Sequence, residues 1–460
     1  MTTAIAAAKR CLLAGLAFIA ADVSGLAPGH ASDDDWIGTT RLPVLDMYDQ
    51  LSLERHALRI AAMPQVVQQT ALAADLYRKS RFGKAAEGQA SLEIAADAYK
   101  LFAAEVAVLD DPSRPHVMWA EQVPHDWYGV RWAGSQWGID NPDNFYRYII
   151  VDGASRYEIH GRRNGAGPAQ ETFLLYSAIP GTGAVNGEGA PVISSFKDQD
   201  LKYGPDGSFT ITLGPEPAQP GENHMRTGPD ARIIFIRDTL QDWDTQSPNQ
   251  LRIQRVSGPP APPERTDQQI ADEAVDLMKH AVPYWLDFSA NNTFNQRPNR
   301  IVPGFSRAGG WGFIAGGWFN FKDDEALVVT LDPLSASYFA FQVGDVWMVS
   351  SEYARHTGGL NKAQAKANTD GTYTFVISAR DPGVWNWIDT AGKHLGMLTV
   401  RWQQLADPKQ TTDKAVRLNK VVKIASLKKM LPPETAWVTP EERKKQQDDR
   451  AAAFAKRFTN

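Results

Sequence analysis

The spacing of hydrophobic residues changes along the chain. Between about residues 42 and 109, apolar side chains recur at helical intervals, as at Leu72 and Leu76. From residue 110 onward, short alternating runs such as 146–150 are separated by turns rich in glycine and proline. No regular succession of strand and helix appears. The pattern therefore predicts a mainly β protein with an N-terminal helical segment.

Breaks in composition divide the β region in two. A proline-rich stretch predicts a stiff linker, and Thr266 followed by Asp267 predicts a capped helix after it. The predicted order is a helical segment at 32–110, a first β-sandwich at 111–256, the linker at 257–265, a helix at 266–292, a second β-sandwich at 293–405 and a basic helical tail at 406–460.

An internal repeat links the two β regions. Residues 206–213 (DGSFTITL) match residues 370–377 (DGTYTFVI), and an apolar strand at the same offset ends in Arg237 in one copy and Arg401 in the other. Any two hairpins could share an Asp-Gly turn between alternating strands. The common register favours duplication, which predicts two related antiparallel β-sandwiches of jelly-roll character.

The first 31 residues have the organisation of a secretory signal peptide. Lys9 and Arg10 precede a short apolar run, and Gly29-His30-Ala31 provides a cleavage site. A membrane anchor is the alternative, but Asp22 interrupts the run well short of the roughly 20 residues that span a bilayer. The sequence thus predicts a periplasmic or secreted protein with no transmembrane segment after cleavage.

Composition narrows the possible chemistry. Cleavage would remove Cys11, the only cysteine, and leave 46 Lys and Arg against 52 Asp and Glu, a net charge of −6. Disulfides and cysteine chemistry are then excluded, and no nucleic-acid partner is indicated. No phosphate loop, serine-hydrolase elbow or metal-ligand spacing occurs. No metal site is therefore predicted, and no motif specifies a cofactor.

The most concentrated set of functional residue types follows a predicted strand. Asp381 and Asp389 are candidate catalytic residues, as an acid and a base. A sugar or polyol ring could be oriented and stacked by Arg380, Trp385, Asn386 and Trp387. The alternative is structural, with Asp-Pro-Gly forming a tight turn, the tryptophans entering a core and Asp389 capping a turn.

A second cluster is rich in aromatic and carboxamide groups. Its candidate ligand-binding residues are Trp132, Asn141, Asp143 and Asn144. Tryptophans more often fill a core, and Asn-Pro-Asp-Asn is typical of a turn. The glycine-rich segment 307–318 indicates close backbone approach, by a ligand or by a neighbouring strand.

Four segments carry a likeness to a known family. They are Asn-Pro-Asp-Asn-Phe-Tyr-Arg at 141–147, the Asp-Gly and Tyr-x-Ile-x-Gly pattern at 152–161, Asp-Pro-Gly with Asn-Trp-Ile-Asp-Thr-Ala-Gly at 381–392, and Leu-Thr-Val-Arg-Trp at 398–402. Together they resemble the bacterial domain-of-unknown-function 1214 family. The likeness spans about 119–402. It implies a β-rich, often exported protein, and it supplies no catalytic residues.

Two functions are consistent with these features. The first is an exported protein that binds a small organic or sugar-containing ligand where the two β-sandwiches meet. This protein could also be an enzyme that processes the ligand. The second is a noncatalytic envelope protein whose helices and basic tail engage a partner or a membrane surface. The tail from Lys409 carries a net charge of +7, which suits an anionic surface or a solvated helix lying against the acidic body.

Overall fold

Three helices open the described part of the chain, as the helical spacing predicts. The computed structural model describes residues 47–182, 189–307, 309–350, 352–407 and 409–458, so the predicted signal peptide lies outside it. The helices are α1 (Met47–Ala61), α2 (Pro64–Lys79), α3 (Ala86–Leu109), α4 (Asp267–Phe288), α5 (Leu427–Met430) and α6 (Pro440–Ala455). Short 3₁₀ turns occupy Phe82–Lys84, Ile424–Ser426 and Lys456–Phe458, and a π-helical turn, Ser289–Thr293, ends α4.

Strands make up most of the remaining regular structure, which is mainly β with antiparallel sheets. In chain order they are β1 (Met118–Ala120), β2 (His125–Trp127), β3 (Val130–Trp132), β4 (Asn144–Ile150), β5 (Arg156–Arg162), β6 (Gln170–Tyr176), β7 (Val192–Lys197), β8 (Ser208–Gly214), β9 (His224–Arg226), β10 (Ile233–Thr239), β11 (Gln250–Ser257), β12 (Arg300–Ile301), β13 (Phe305–Ser306), β14 (Gly312–Asn320), β15 (Glu325–Leu331), β16 (Ala336–Gly344), β17 (Gly359–Asn361), β18 (Tyr373–Ser378), β19 (Trp387–Asp389), β20 (Leu395–Leu405) and β21 (Val416–Lys423).

The first pair of sheets lies between residues 118 and 257. A five-stranded sheet of order β1-β4-β10-β6-β7 faces a four-stranded sheet of order β11-β5-β8-β9. Ile149 and Phe173 from the larger sheet share a buried cluster with Tyr157 and Ile211 from the smaller one. The core therefore forms where alternate residues of both sheets point inward.

The second pair of sheets has the same layout. A larger sheet of order β12-β14-β20-β16-β17, with β13 attached to β14, faces a smaller one of order β19-β18-β15-β21. Leu398 and Phe341 of the larger sheet pack with Val329 and Phe375 of the smaller one. Each of the eight strands β4–β11 thus has a counterpart ten strands later, with the same neighbours.

The pairing is not purely antiparallel. β8 and β9 run parallel, and so do β18 and β19 at the corresponding edge. A hairpin between adjacent strands would make them antiparallel. Each parallel pair is instead joined by an irregular stretch, 215–223 in the first and 379–386 in the second. The two pairs are therefore further counterparts of one another.

Helices α1–α4 cover the outer faces of both larger sheets. Phe102 and Leu277 from the helices join one buried cluster with Phe235 of β10 and with Trp318 and Met397 of the second sheet. The predicted cap of α4 is present, because the Thr266 hydroxyl accepts from the Gln269 backbone N–H and the Gln269 side chain accepts from the Thr266 backbone N–H. In the described residues, no helix has the length and apolar character needed to cross a bilayer.

The C-terminal tail differs from the all-helical prediction. Residues Val416–Lys423 form β21, which pairs with β15, and helix begins again only at Leu427. Val416 and Leu418 alternate with polar residues, and the strand also carries Arg417, Lys420 and Lys423, a charged composition that suits an edge strand. α6 lies against the body and buries Arg443 and Arg450 on one face.

Candidate functional site

A cavity lies between the outer faces of the two larger sheets. Its volume is about 250 Å³. β10 and β20 contribute alternate residues to it, because their other residues enter the two sandwich cores. The remaining wall comes from α4, from β14 and from loop residues that include Glu121, Ile139 and Met348. Asn292 and Phe305, which line the cavity, are exposed, so the cavity reaches the surface there.

Three arginines line this cavity. They are Arg237 on β10, Arg307 after β13 and Arg401 on β20. The guanidinium groups of Arg307 and Arg237 lie 4.5 and 5.6 Å from the ring of Trp311. Such contacts orient a cation over an aromatic face and stabilise it by about 0.5–2 kcal/mol.

Arg401 is buried and is held by neutral groups. One terminal nitrogen donates to the side-chain oxygen of Gln342, and the other donates 2.6 Å to the carbonyl oxygen of Ile139. The side chain is 5% exposed. These two bonds use two of the five guanidinium N–H groups, and among the described residues no carboxylate lies within ion-pair distance of Arg401. Burial lowers the pKa of Arg401. A buried cation without an anionic partner is costly unless a ligand supplies the opposite charge.

Glu121 is the carboxyl group in the cavity wall. Burial raises the pKa of Glu121 to about 8. A hydrogen bond from the Tyr148 hydroxyl and the nearby charges of Arg237 and Arg401 each lower this pKa, but their effects are smaller than that of burial. At neutral pH the side chain is therefore mostly protonated. An uncharged carboxyl donates one hydrogen bond and does not cancel the charge of the arginines.

The same wall includes residues with a strained backbone. Three lining residues other than glycine have positive φ angles, namely Glu121 at 53°, Ile139 at 54° and Met348 at 66°. This conformation is uncommon, and for β-branched isoleucine it is a clear outlier. The Ile139 N–H donates 2.8 Å to the Met348 carbonyl, while the Ile139 carbonyl accepts from Arg401. The strained segment thus helps to fix the arginine, and such strain clusters at functional sites.

Two tryptophans of the cavity have unsatisfied donors. The indole N–H groups of Trp285 and Trp311 are buried and have no hydrogen-bond partner among the described residues. The buried side-chain oxygen of Gln403, also in the lining, likewise has none. Unpaired buried polar groups cost about 1–3 kcal/mol each. Their presence in one cavity is consistent with an occupant that carries polar atoms.

Asp381 and Arg380 are engaged in ion pairs. The Asp381 carboxylate accepts 2.9 Å from Nε of Arg443 on α6 and also accepts from the Gly383 N–H. Arg380 pairs with Asp323 at the surface. The tail helix therefore binds the proposed catalytic aspartate.

The rest of the 385–389 segment is held by backbone groups and a histidine. Asn386 donates to the carbonyls of Lys366 and Thr374, and its oxygen accepts from the Lys366 N–H. The Trp385 and Trp387 indoles donate to the carbonyls of Gln364 and Ser378, respectively.

Asp389 accepts 2.6 Å from His356 and 2.8 Å from the Ala391 N–H. A cavity of about 30 Å³ beside Trp385 and Asn386 has room for a water molecule. The assignment of Asp381 and Asp389 as acid and base remains a prediction.

The 141–144 segment forms a junction between the two larger sheets. Asn141 donates 2.9 Å to the Tyr338 hydroxyl of β16, and Asp143 accepts 2.7 Å from both Tyr338 and the Trp243 indole. The expected turn is also present, since the Asn144 N–H donates to the Asn141 carbonyl. Of the ten sequence-predicted site residues, Asn144 lines the large cavity; Trp132 is buried against the helices.

Sequence reasoning did not select the residues that dominate the cavity. Arg237 and Arg401 stood out only as the last matched pair of the repeat. Trp311 lies in the glycine-rich segment, where Gly316 now contributes to the wall. Glu121 had no local signal, because its burial depends on tertiary packing. Within the described ranges, no group of three or more His, Cys, Asp or Glu side chains is arranged to hold a metal ion.

Fold and site together define a mainly β protein with a ligand-sized cavity between two sheet pairs. Residues 149–237 match the family described as "Protein of unknown function (DUF1214)", which confirms the resemblance found in the sequence. The matched segment runs from β4 to Arg237 in the cavity wall.

Of two solved structures that match, one has the same fold. The crystal structure of an uncharacterised protein from Burkholderia cenocepacia has a TM-score of 0.67 and 24% identity, covering 81% of this chain and 100% of the other. A protein from Vibrio parahaemolyticus has a TM-score of 0.38 and 13% identity, covering 77% of this chain and 99% of the other. The search of curated proteins finds no match.

Proposed function

We propose that this chain is an exported protein that binds a small organic ligand in the cavity between its two larger sheets. The observation that carries the proposal is the convergence of three arginines and two unpaired indole donors on one cavity of about 250 Å³. Ligand sites are typically concave, mostly apolar and furnished with a few fixed polar groups. The strained backbone at Glu121, Ile139 and Met348 supports the same location.

The proposed ligand site differs in part from the one that the sequence predicts. The ligand site remains where the two sheet pairs meet, but its polar groups are Arg237, Arg401 and Glu121 in place of Asp381 and Asp389. Those two aspartates carry bonds to Arg443 and His356, which suits a scaffolding role. Sugars stay among the ligands to be tested, because the tryptophan rings of the lining suit their C–H faces.

Export is part of the proposal and rests on the sequence of residues 1–31. Its support is the charged start, short apolar run and small-residue cleavage site. The test is the intact mass of protein recovered from a periplasmic extract or from the medium. A mass that begins at Ser32 is expected, and a chain that retains residues 1–31 would contradict the proposal.

We also infer that the two sheet pairs arose by internal duplication. Support comes from strands β4–β11 and β14–β21, whose neighbours correspond one to one, including the parallel edge pair. Arg237 and Arg401 occupy corresponding strands, β10 and β20, and both line the cavity. Superposition of the two pairs should align these two residues, and an alignment shifted by one position would contradict the inference.

A cavity-filling variant tests the binding site. Gly316 lies in the cavity wall, and a Cβ added there meets only the Leu398 carbonyl oxygen at 3.9 Å, so the Cβ of Gly316→Leu fits and its side chain should occupy part of the cavity. Gly228→Leu is the matched control, since the nearest atom to its added Cβ is 3.7 Å away and the residue lies outside the lining.

The assay is a thermal-shift screen against a library of organic acids, amides, alcohols and sugars. Compounds that raise the melting temperature of the wild-type protein and of Gly228→Leu should lose their effect on Gly316→Leu, because binding stabilises the folded state. Shifts that persist in Gly316→Leu would place the site elsewhere. A library without any stabilising compound would contradict small-molecule binding.

A further inference from the structure

The cavity has an excess of positive charge with apolar surroundings. Arg237, Arg307 and Arg401 line it, whereas Glu121 is the lining carboxyl group. Asp140 is buried nearby but accepts hydrogen bonds from Gln136 and from the Ser350 backbone. An occupant with a negative charge would reduce the cost of burying Arg401, whose two described bonds go to neutral groups.

The geometry around Arg401 suits a planar anion. Its two described hydrogen bonds go to Gln342 and Ile139. They hold the guanidinium in place and leave other N–H groups of the guanidinium to donate to a ligand. Arginine binds carboxylates through two parallel hydrogen bonds, which distinguishes it from the point charge of lysine. The indole N–H groups of Trp285 and Trp311 supply neutral donors in the same cavity.

The rest of the wall suits an apolar body. Phe235, Trp137, Met397 and Phe288 line the cavity together with the two tryptophans that have unpaired donors. Aromatic side chains pack on rings and on aliphatic chains alike. A ligand with several hydroxyl groups would leave most of them facing these apolar groups without a partner.

We propose that the ligand is a small organic carboxylate with an aromatic or aliphatic body, its charge held by Arg401 and Arg237 and its body packed on the tryptophan rings. This inference rests on the proposed function, because it specifies the ligand class of the same cavity. Glu121 adds a hydrogen-bond donor while it is protonated.

The environment of Glu121 makes binding depend on pH. The groups that act on it are the Tyr148 hydroxyl, the cations Arg237 and Arg401, and the acids Asp140 and Glu105. The phenols Tyr99 and Tyr146 also interact with it. Ionisation of Glu121 places a second negative charge beside the ligand. Affinity for a carboxylate should therefore fall about ten-fold per pH unit above the Glu121 pKa.

The test uses 3-phenylpropionate and its uncharged analogue 3-phenylpropanamide in calorimetric titrations up to 10 mM ligand. The wild-type protein should bind the acid at least ten-fold more tightly than the amide. Arg401→Gln should weaken the acid at least ten-fold and leave the amide unchanged within two-fold. Arg417→Gln, which alters an exposed pair with Asp332, is the matched control and should change neither.

The outcomes separate this inference from the proposed function. Equal affinity for acid and amide, both abolished by Gly316→Leu, would overturn the carboxylate inference and keep the binding cavity. Acid binding that survives Gly316→Leu would overturn the cavity itself. Binding of neither compound at 10 mM would overturn the ligand class, while the library screen decides separately whether the cavity binds anything.

Discussion

Glu121→Gln should make the protein more stable at neutral pH, although it removes a native carboxyl group. The ordinary pKa of 4.5 applies in the unfolded chain, and burial raises it to about 8 in the folded protein. Between these values the folded state holds a proton that the unfolded state releases. The contribution of Glu121 to stability is therefore complete below about pH 4.5 and is lost as pH rises towards 8. Glutamine keeps the Tyr148 hydroxyl bond to an oxygen but has no proton to lose.

The magnitude follows from the size of the pKa shift. One pH unit corresponds to about 1.4 kcal/mol, so the full penalty at and above pH 8 is about 5 kcal/mol. The difference in unfolding free energy between Glu121→Gln and wild type should grow by about 1.4 kcal/mol per pH unit between pH 5.5 and 7.5. All other titrating groups are common to both proteins and cancel in the difference.

The assay is urea unfolding of both proteins at half-unit steps from pH 5 to 8, followed by tryptophan fluorescence. The slope of the stability difference against pH is the quantity that matters, since a constant offset reflects only altered packing. A flat difference across this range would refute the reasoning, because it would mean that Glu121 titrates near its ordinary pKa.

Three further predictions concern the scaffold. Arg443→Met should lower the unfolding free energy by about 3 kcal/mol, because it leaves Asp381 and the Val384 carbonyl without their buried donor. The control is Lys444→Met, which changes an exposed ion pair. A urea midpoint of Arg443→Met no lower than that of Lys444→Met would contradict this prediction. The hydrogen bond to Asp389 raises the pKa of His356, so its stabilising contribution is complete below the ordinary value of 6.5 and disappears as pH rises through the raised pKa. An NMR titration of His356 with a midpoint at or below 6.5 would disprove that. Gly161→Ala puts a Cβ 2.0 Å from the Phe209 ring and should cost about 1–3 kcal/mol by urea unfolding, and an equal cost in a Phe209→Leu background would show that the ring is not the cause.

Much of the fold could be predicted because local signals and packing agree. The alternation in β5, the capping box at Thr266 and the matched Asp-Gly turns are all signals carried by residues close in sequence. The sequence predicts helix at 416–423, because the basic residues there obscure the alternation of a strand. Only the pairing with β15 shows its role as an edge strand.

The site was harder to predict, because its residues converge from distant parts of the chain. Glu121, Arg237, Trp285 and Arg401 are separated by long stretches, and each alone is an ordinary residue. The 380–390 segment concentrated functional residue types, yet its side chains bond to α6, to His356 and to nearby backbone groups. The density of polar and aromatic residues at 380–390 therefore coincides with a segment whose side chains are well ordered by hydrogen bonds. The unusual feature of the cavity is of another kind, because Arg401 is a charged side chain that is buried.

The most direct test of the account is to locate a bound ligand. Crystals soaked with 3-(4-bromophenyl)propionate would report the position of the bromine by its anomalous signal. One bromine peak is expected inside the cavity lined by Trp137, Trp285 and Trp311, with the carboxylate within hydrogen-bond distance of Arg401 or Arg237. A peak outside this cavity, or a cavity that holds only ordered water, would contradict it.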